Sequence, residues 1–467
     1  MSRPGRGPGQ PFRVAVVGGG IAGLAAAHRL VEASGARGTP VDVTLFEAGD
    51  RLGGTIRTER VDDFLVEAGP DSFITEKPWA LALAERIGLG PRLCRTDDRF
   101  RRTYVARAGR LHPLPEGFLL LAPVRLAPFL GSALFSWRGK ARMGLDLVLP
   151  RRRSEEDESL GAFVRRRLGR EALERVAEPL VAGIYTADAE RLSLAATMPR
   201  FLALERRHRS LILGLRRSAG VREVTGASGA RWSLFVTLAG GMGELVDALA
   251  ARLPRETVRL GCRIVAATRV DGGWRLHAAD GGTTAVAGVV LAGAAPAMAP
   301  IVRAADADLA RLLAGVRYAS SATVTLAYRR AAVRHALDGF GFVVPRGEGR
   351  ALLACTFSSV KYPGRAPEGY ALLRGFLGGA GRGAVLDRDD SDLVRLVEAD
   401  LAALVGAARP PVLGRVARHR GAMPQYDVGH LDRVAALERR VGSLPGLALA
   451  GAAYRGVGIA DCVRSGE

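Results

Sequence analysis

The chain has 467 residues, 48% hydrophobic, 24% charged and 6% aromatic, with a formal net charge of +20. That is room for two or three cored domains, and it is too apolar for a disordered protein. All but three of the 67 cations (Lys77, Lys140 and Lys361) are arginine, spread over every segment, so a nucleic-acid binder with one basic stripe is disfavoured.

The opening MSRPGRGPGQP carries charge but no apolar h-region, and reads as a mobile tail, not a signal peptide. Arg13–Val17 is a β-rich run followed at once by Gly18-Gly19-Gly20-Ile21-Ala22-Gly23. LAAAHRLVEA continues as a helix, SGARGTP turns, and VDVTLF makes a second strand ending at Glu47. This βαβ unit predicts a dinucleotide site. The first glycine allows the tight turn, the second admits a pyrophosphate, and the third lets helix and strand approach. Glu47 can accept hydrogen bonds from ribose hydroxyls. A second glycine turn follows at Arg51, Gly53, Gly54 and Thr55, and a strand and loop run from Asp62 to Asp71. Two such turns in series suit FAD, whose flavin end extends beyond an NAD-sized site.

From about 75 to 200 helical runs dominate, including EKPWALALAERIGL, a proline-broken apolar tract over Leu111–Pro150, and SLGAFVRRRLG with Ser159 as N-cap. Strands are predicted at 232–238, 258–269, 274–279 and 286–291, then a strand pair at 321–328 and 340–345. Further strands follow near 351–357 and 370–377, with a helix at 390–406. The uncharged run Gly281–Val302 is nominally long enough to cross a bilayer, but its glycines, prolines and AVAGVVLAG centre predict a buried strand instead. The cysteines at 94, 262, 355 and 462 and the seven histidines show no metal-ligand spacing, so no metal is expected and a reduced, cytoplasmic setting fits.

Several segments carry more specific information: PLVAGIYTADAERLSL (179–194), GGMGELVDALA (240–250), GFGFVVPR (339–346), KYPGRAPEG (361–369), AMPQYDVGHL (422–431) and AGAAYRGVGIADCV (450–463). Together with GGGIAGLAAA and EAGDRLGGTIRT, they make the chain resemble the HemY-type porphyrinogen oxidases of the flavin-containing amine oxidase superfamily. The resemblance runs from about residue 13 to the end. It implies an α/β and α+β multidomain fold with three parts. These are a Rossmann-like FAD-binding domain (12–75, 230–300 and 410–467), a helical, membrane-facing domain (95–200), and a mixed-sheet substrate domain (76–94, 201–229 and 301–409).

It also implies roles for residues. The FAD site would comprise Gly18, Gly19, Gly20, Ile21, Ala22, Gly23, Glu47, Ala48, Arg51, Gly53, Gly54 and Thr55. The loop Gly69, Pro70, Asp71 and Ser72 would join it, with Ile264 at the adenine. At the C-terminal segment Ala452, Val457, Gly458 and Ile459 would meet the flavin. The porphyrinogen would meet Ala182, Gly183, Phe340, Gly341, Val343 and Phe376, with Arg101 pairing a propionate bidentately. The implied reaction is oxygen-dependent aromatisation of protoporphyrinogen IX in haem biosynthesis, with coproporphyrinogen III as the alternative substrate. A carotenoid desaturase or amine oxidase on the same fold is the remaining rival. No residue stands out as a general base. Expected partners are the porphyrinogen and oxygen, a second subunit, the next haem-pathway enzyme and a peripheral membrane surface, without nucleic acid. Relatives usually continue beyond VRSG into a helix beneath the flavin.

Overall fold

In the computed structural model, residues 11–37, 40–119, 121–224, 234–408 and 410–467 are described. Residues 1–10 of the predicted N-terminal tail, and residues 232–233 of the strand predicted at 232–238, lie outside them; the strand observed there is Phe235–Leu238. The strand Phe12–Val17 lies at the centre of a five-stranded parallel sheet, between Val41–Phe46 and Gly288–Leu291, with Val258–Arg259 and Leu447–Leu449 at the edges. The central residues Val14–Val17 lack polar alternation because both faces of this strand are covered. Side-chain alternation divides them between two cores. Val16 packs with helix Ile21–Arg37, whereas Ala15 and Val17 pack with the opposite layer around Trp274.

The chain reaches this sheet repeatedly from elsewhere. The strand expected over 258–269 is broken at Gly261, where φ is +65°, so Val258–Arg259 stays in the parallel sheet. Ile264–Val270 instead opens an antiparallel sheet with Gly273–Ala278 and Thr283–Val286. The uncharged run resolves into Thr283–Val286, Gly288–Leu291 and the helix Ala295–Val302. Among the described residues no helix is long and apolar enough to cross a membrane.

A seven-stranded mixed sheet forms the second layer, in the order Leu413–Pro424, Tyr318–Arg329, Tyr370–Gly378, Ala354–Phe357, Gly341–Val343, Thr103–Arg107 and Arg110–Pro113. The strands predicted as a pair, near 321–328 and 340–345, are therefore not neighbours. Gly341–Val343 pairs antiparallel with Ala354–Phe357 and parallel with Thr103–Arg107. The edge strand Leu413–Pro424 was not predicted, because LGRVARHRGAMP has no clean period-two pattern. A bulge around Gly421 interrupts its pairing with Tyr318–Arg329.

The third layer is helical and includes Trp137–Gly144, Leu160–Arg167, Glu178–Tyr185 and Pro199–His208 around one apolar core. Ser159 caps its helix as expected, its Oγ accepting the Ala162 N–H at 3.1 Å. A buried Arg167–Asp146 pair, Nε to Oδ1 2.7 Å, ties these helices together. Strand pairing and apolar packing shift three of the expected boundaries. Residues 413–424 and 103–113 belong to the larger sheet, and the helix Ala307–Ala314 packs on the parallel-sheet core.

Candidate active site

The two glycine turns meet directly. Gly53 N–H donates to the Gly19 carbonyl at 2.8 Å, and Gly20 and Gly53 form a parallel bridge. Each glycine of the first turn has its own reason. Gly18 has φ +113°, and a Cβ at Gly23 would lie 1.9 Å from the Gly18 carbonyl oxygen. A Cβ at Gly20, by contrast, would meet nothing within 4 Å: it points into open space at the N-terminus of Ile21–Arg37. That open cradle fits a pyrophosphate. The Glu47 carboxylate accepts Gly19 N–H at 2.6 Å and Gly49 N–H at 2.7 Å, which holds the turn and leaves lone pairs for ribose hydroxyls. Arg51 donates to the carbonyls of Leu52 and Ile56, fixing the second turn. Ala22 is buried within the parallel-sheet core. Ile264 is buried at the start of its strand.

Beyond these turns a cavity of about 580 Å³ opens between the parallel sheet, the seven-stranded sheet and the helical layer. One wall contains Ile21, Thr55, the loop Gly69–Ser72, Ala452 and Val457–Ile459. Its far wall contains Gly183, Phe340, Gly341, Val343 and Phe376. Gly18–Gly20, Gly23, Glu47, Ala48, Arg51, Gly53, Gly54 and Ile264 lie outside this lining, as do Ala182 and Arg101. Ala182 is buried one residue behind Gly183, and Arg101 is exposed at the end of the turn Asp98–Phe100. Gly458 is the N-cap of the helix Ile459–Gly466, so this helix N-terminus borders the cavity.

Several groups hold the walls in place. Tyr426 Oη donates to the Ala452 carbonyl at 2.6 Å and accepts Gly456 N–H at 2.8 Å, clamping the loop before Val457. Its ring stacks on His430 at 3.8 Å, and His430 Nε2 bonds the Tyr454 carbonyl at 2.8 Å. The Ala68 carbonyl is held by Thr323 Oγ1 and by His419 Nε2, both at 2.8 Å. Burial lowers the pKa of His419, keeping it neutral near pH 7. Two thiols line the cavity, and burial pushes Cys462 up to about 12 and Cys355 higher still, so neither serves as a thiolate nucleophile.

One polar cluster stands out in this apolar lining. Asp71 accepts Lys361 Nζ at 3.1–3.2 Å and Ser72 Oγ at 2.7 Å, with Arg374 Nη1 3.9 Å away. Burial opposes ionisation of Asp71, but Lys361 and Arg374 outweigh it and hold the carboxyl well below the usual range.

Two glycine turns, an open cradle and an adjoining apolar cavity make up the site, and comparison with known proteins gives the family. The family model for flavin containing amine oxidoreductases matches residues 21–467. The chain belongs to the flavin-containing amine oxidoreductase family. As a family member it is an oxidoreductase with FAD as cofactor. It is 35% identical over 455 residues to a coproporphyrinogen III oxidase of Bacillus subtilis (strain 168), covering 97% of this chain and 96% of that protein. It is 32% identical to the protoporphyrinogen oxidase of Bos taurus over 97% of this chain and 96% of that one. A crystal structure of an Exiguobacterium sp. 255-15 protein, named for protoporphyrinogen oxidase, superposes with TM-score 0.86 at 34% identity, covering 98% and 97% of the two chains. Reduced UDP-galactopyranose mutase, at 15% identity and TM-score 0.71 over 97% and 94%, shares the fold alone.

Within this family member, sequence reasoning missed the cavity-lining Lys361, Arg374 and His419. Two signals were available. Lys361 is one of only three lysines and opens KYPGRAPEG. Arg374 precedes the predicted Phe376 by two positions on one strand, so both side chains share a face.

Proposed function

We propose that the protein is an FAD-dependent porphyrinogen oxidase of haem biosynthesis that aromatises its substrate with oxygen as acceptor. Protoporphyrinogen IX and coproporphyrinogen III are the two candidate substrates. The observation that carries this reading is the continuous cavity, with the residues expected at the flavin on one wall and the Gly183, Phe340 and Phe376 wall opposite. The relatives named above for porphyrinogen oxidation support the substrate class.

Bound FAD supplies the hydride-accepting chemistry. The chain's part is binding and orientation. In this proposal Gly18–Gly23 hold the pyrophosphate, Glu47 the ribose and Ile264 the adenine. Thr55, Gly69–Ser72, Ala452 and Val457–Ile459 hold the flavin end. Gly183, Phe340, Gly341, Val343 and Phe376 exclude water and position the ring, with Ala182 behind them and Arg101 at the surface. The test is anaerobic mixing of holoenzyme with each porphyrinogen. Bleaching of the yellow flavin absorbance with appearance of the fluorescent porphyrin is expected; a flavin that stays oxidised with both overturns the reading.

We further propose peripheral membrane attachment on the cytoplasmic side through the helical layer. Trp137 is 72% exposed there, near exposed Leu126, Leu130, Leu145 and Val148, with Arg125, Arg138, Arg151 and Arg153 around them. Lys140, Arg142 and Arg152 of the same stretch do not join them, and Arg152 pairs with Glu158 at 3.5 Å. Lys140 is buried and donates to the Leu130 carbonyl at 2.6 Å, and Arg142 is engaged with the carbonyls of Arg166 and Arg167.

A further inference from the structure

Aromatising one bridge of a porphyrinogen removes two hydrogens with different fates. The meso C–H bond breaks and its electron pair leaves with the hydrogen, as hydride, to the flavin. The ring left behind is positively charged until a pyrrole N–H breaks, the nitrogen keeping the electron pair and the proton departing. One hydride and one proton per bridge match the two hydrogens that turn oxygen into hydrogen peroxide. A cation in an apolar cavity is costly, so the proton needs an acceptor within reach.

Among the described residues of the lining the choice is narrow. Lys361 and Arg374 are cations already engaged as donors, to Asp71 and to the Gly69 carbonyl. Asp71 is occupied by Lys361 and Ser72, and its carboxyl is held well below the usual range, which makes it a weak base. Burial keeps the Cys355 and Cys462 thiols protonated. His419 remains.

The sheet places its ring. His419 pairs with Ser321 across the register of Leu413–Pro424 and Tyr318–Arg329, and both line the cavity with Thr323, two positions on. Arg418 and Arg420, on either side, turn away to Asp390 and Asp387. Nε2 lies 2.8 Å from the Ala68 carbonyl, which can only accept, so this nitrogen carries the hydrogen of the neutral ring. The lone pair is therefore on Nδ1. That atom makes no hydrogen bond among the described residues and, unlike Arg374 Nε, is not sealed from access. The charged groups facing the ring are Arg374, from the strand Tyr370–Gly378, and Arg51, from the second glycine turn. Both act with burial to keep it neutral, against the opposing pull of the Ala68 bond. Ser321 and Thr323, facing it from Tyr318–Arg329, do not titrate.

We infer that His419 Nδ1 is the proton acceptor of the reaction, taking the pyrrole N–H proton as hydride leaves the meso carbon. The inference rests on the porphyrinogen oxidase reading and assigns a step within it. The Nδ1–H bond forms as the pyrrole N–H bond breaks, and the half-buried imidazolium then passes its proton to water.

The test follows flavin bleaching after anaerobic mixing of holoenzyme with saturating porphyrinogen from about pH 4.5 to 8, in wild type, His419→Gln and His419→Ala. Glutamine can still donate to the Ala68 carbonyl but offers no imidazole lone pair. The wild-type rate constant is expected to be flat near neutrality. It should fall about tenfold per pH unit on an acid limb below the usual histidine range, because protonation fills Nδ1. His419→Gln should bleach about a hundredfold more slowly and lose that limb, with flavin content and Tm unchanged. Added imidazole should restore much of the rate in His419→Ala. A wild-type rate constant without an acid limb overturns the inference even if neither variant folds. So does a His419→Gln enzyme that keeps the limb or bleaches within about threefold of wild type. Lost flavin or a lowered Tm with wild-type kinetics in the remaining holoenzyme also overturns it, and assigns the histidine to holding the Ala68 loop. Failure of the wild-type flavin to bleach with either porphyrinogen is a different result and overturns the porphyrinogen reading itself.

Discussion

Gly183→Ala separates a structural glycine from a substrate-facing one, because the structure gives the two roles opposite signs. Gly183 lies inside the helix Glu178–Tyr185, and the left-handed residue that ends this helix is Thr186, with φ +49°. The glycine is therefore not a helix-ending cap, and alanine there meets no backbone strain. A Cβ would lie 3.7 Å from Ala354 Cβ and 3.9 Å from Val343 Cγ1, ordinary contact distances. Replacing a helix-interior glycine by alanine then stabilises the protein by about 1 kcal/mol, and Tm rises by about one or two degrees in a chain this long. The same methyl projects at the cavity wall. Overpacking a bound ring there costs about 1–3 kcal/mol, a KM increase of roughly fivefold to a hundredfold. Flavin content, Tm and KM measured on one preparation decide the matter. A raised Tm with unchanged KM would refute contact between Gly183 and substrate; lost flavin would show that the glycine supports the cofactor instead.

The remaining predictions are tested by two further assays. Gly20→Val projects a branched side chain into the open cradle above the turn, so the purified protein is expected to lack bound flavin absorbance while its far-ultraviolet circular dichroism persists; full flavin retention would remove Gly20 from the pyrophosphate site. In vesicle flotation, the exposed arginines beside Trp137 should each add about 1 kcal/mol on anionic lipid, so binding falls as salt rises. Flotation on neutral vesicles that resists salt would contradict the electrostatic part of the attachment.

What the sequence determined by itself is local or carried by motif. The βαβ unit, both glycine turns and the Ser159 cap depend on backbone sterics and on residues within one helical turn, so adjacent residues encode them. The family segments likewise assign Gly183, Phe340 and Phe376 to a substrate pocket, and all three line the cavity. The long edge strand Leu413–Pro424 escaped because its partner, Tyr318–Arg329, is about a hundred residues away and its own alternation is weak. Charge was the least legible property. Among so many cations, nothing in the local sequence says that Lys140 is spent on a helix carbonyl or that Arg101 remains at the surface. Lys361 meets Asp71 across 290 positions of sequence, and Arg374 reaches Gly69 across 305. Whether a charge is screened by water or left to act on a ligand depends on its burial and on which opposite charge lies beside it. Both are set by long-range packing, so only the tertiary structure could bring Lys361, Arg374 and Asp71 together in the cavity wall.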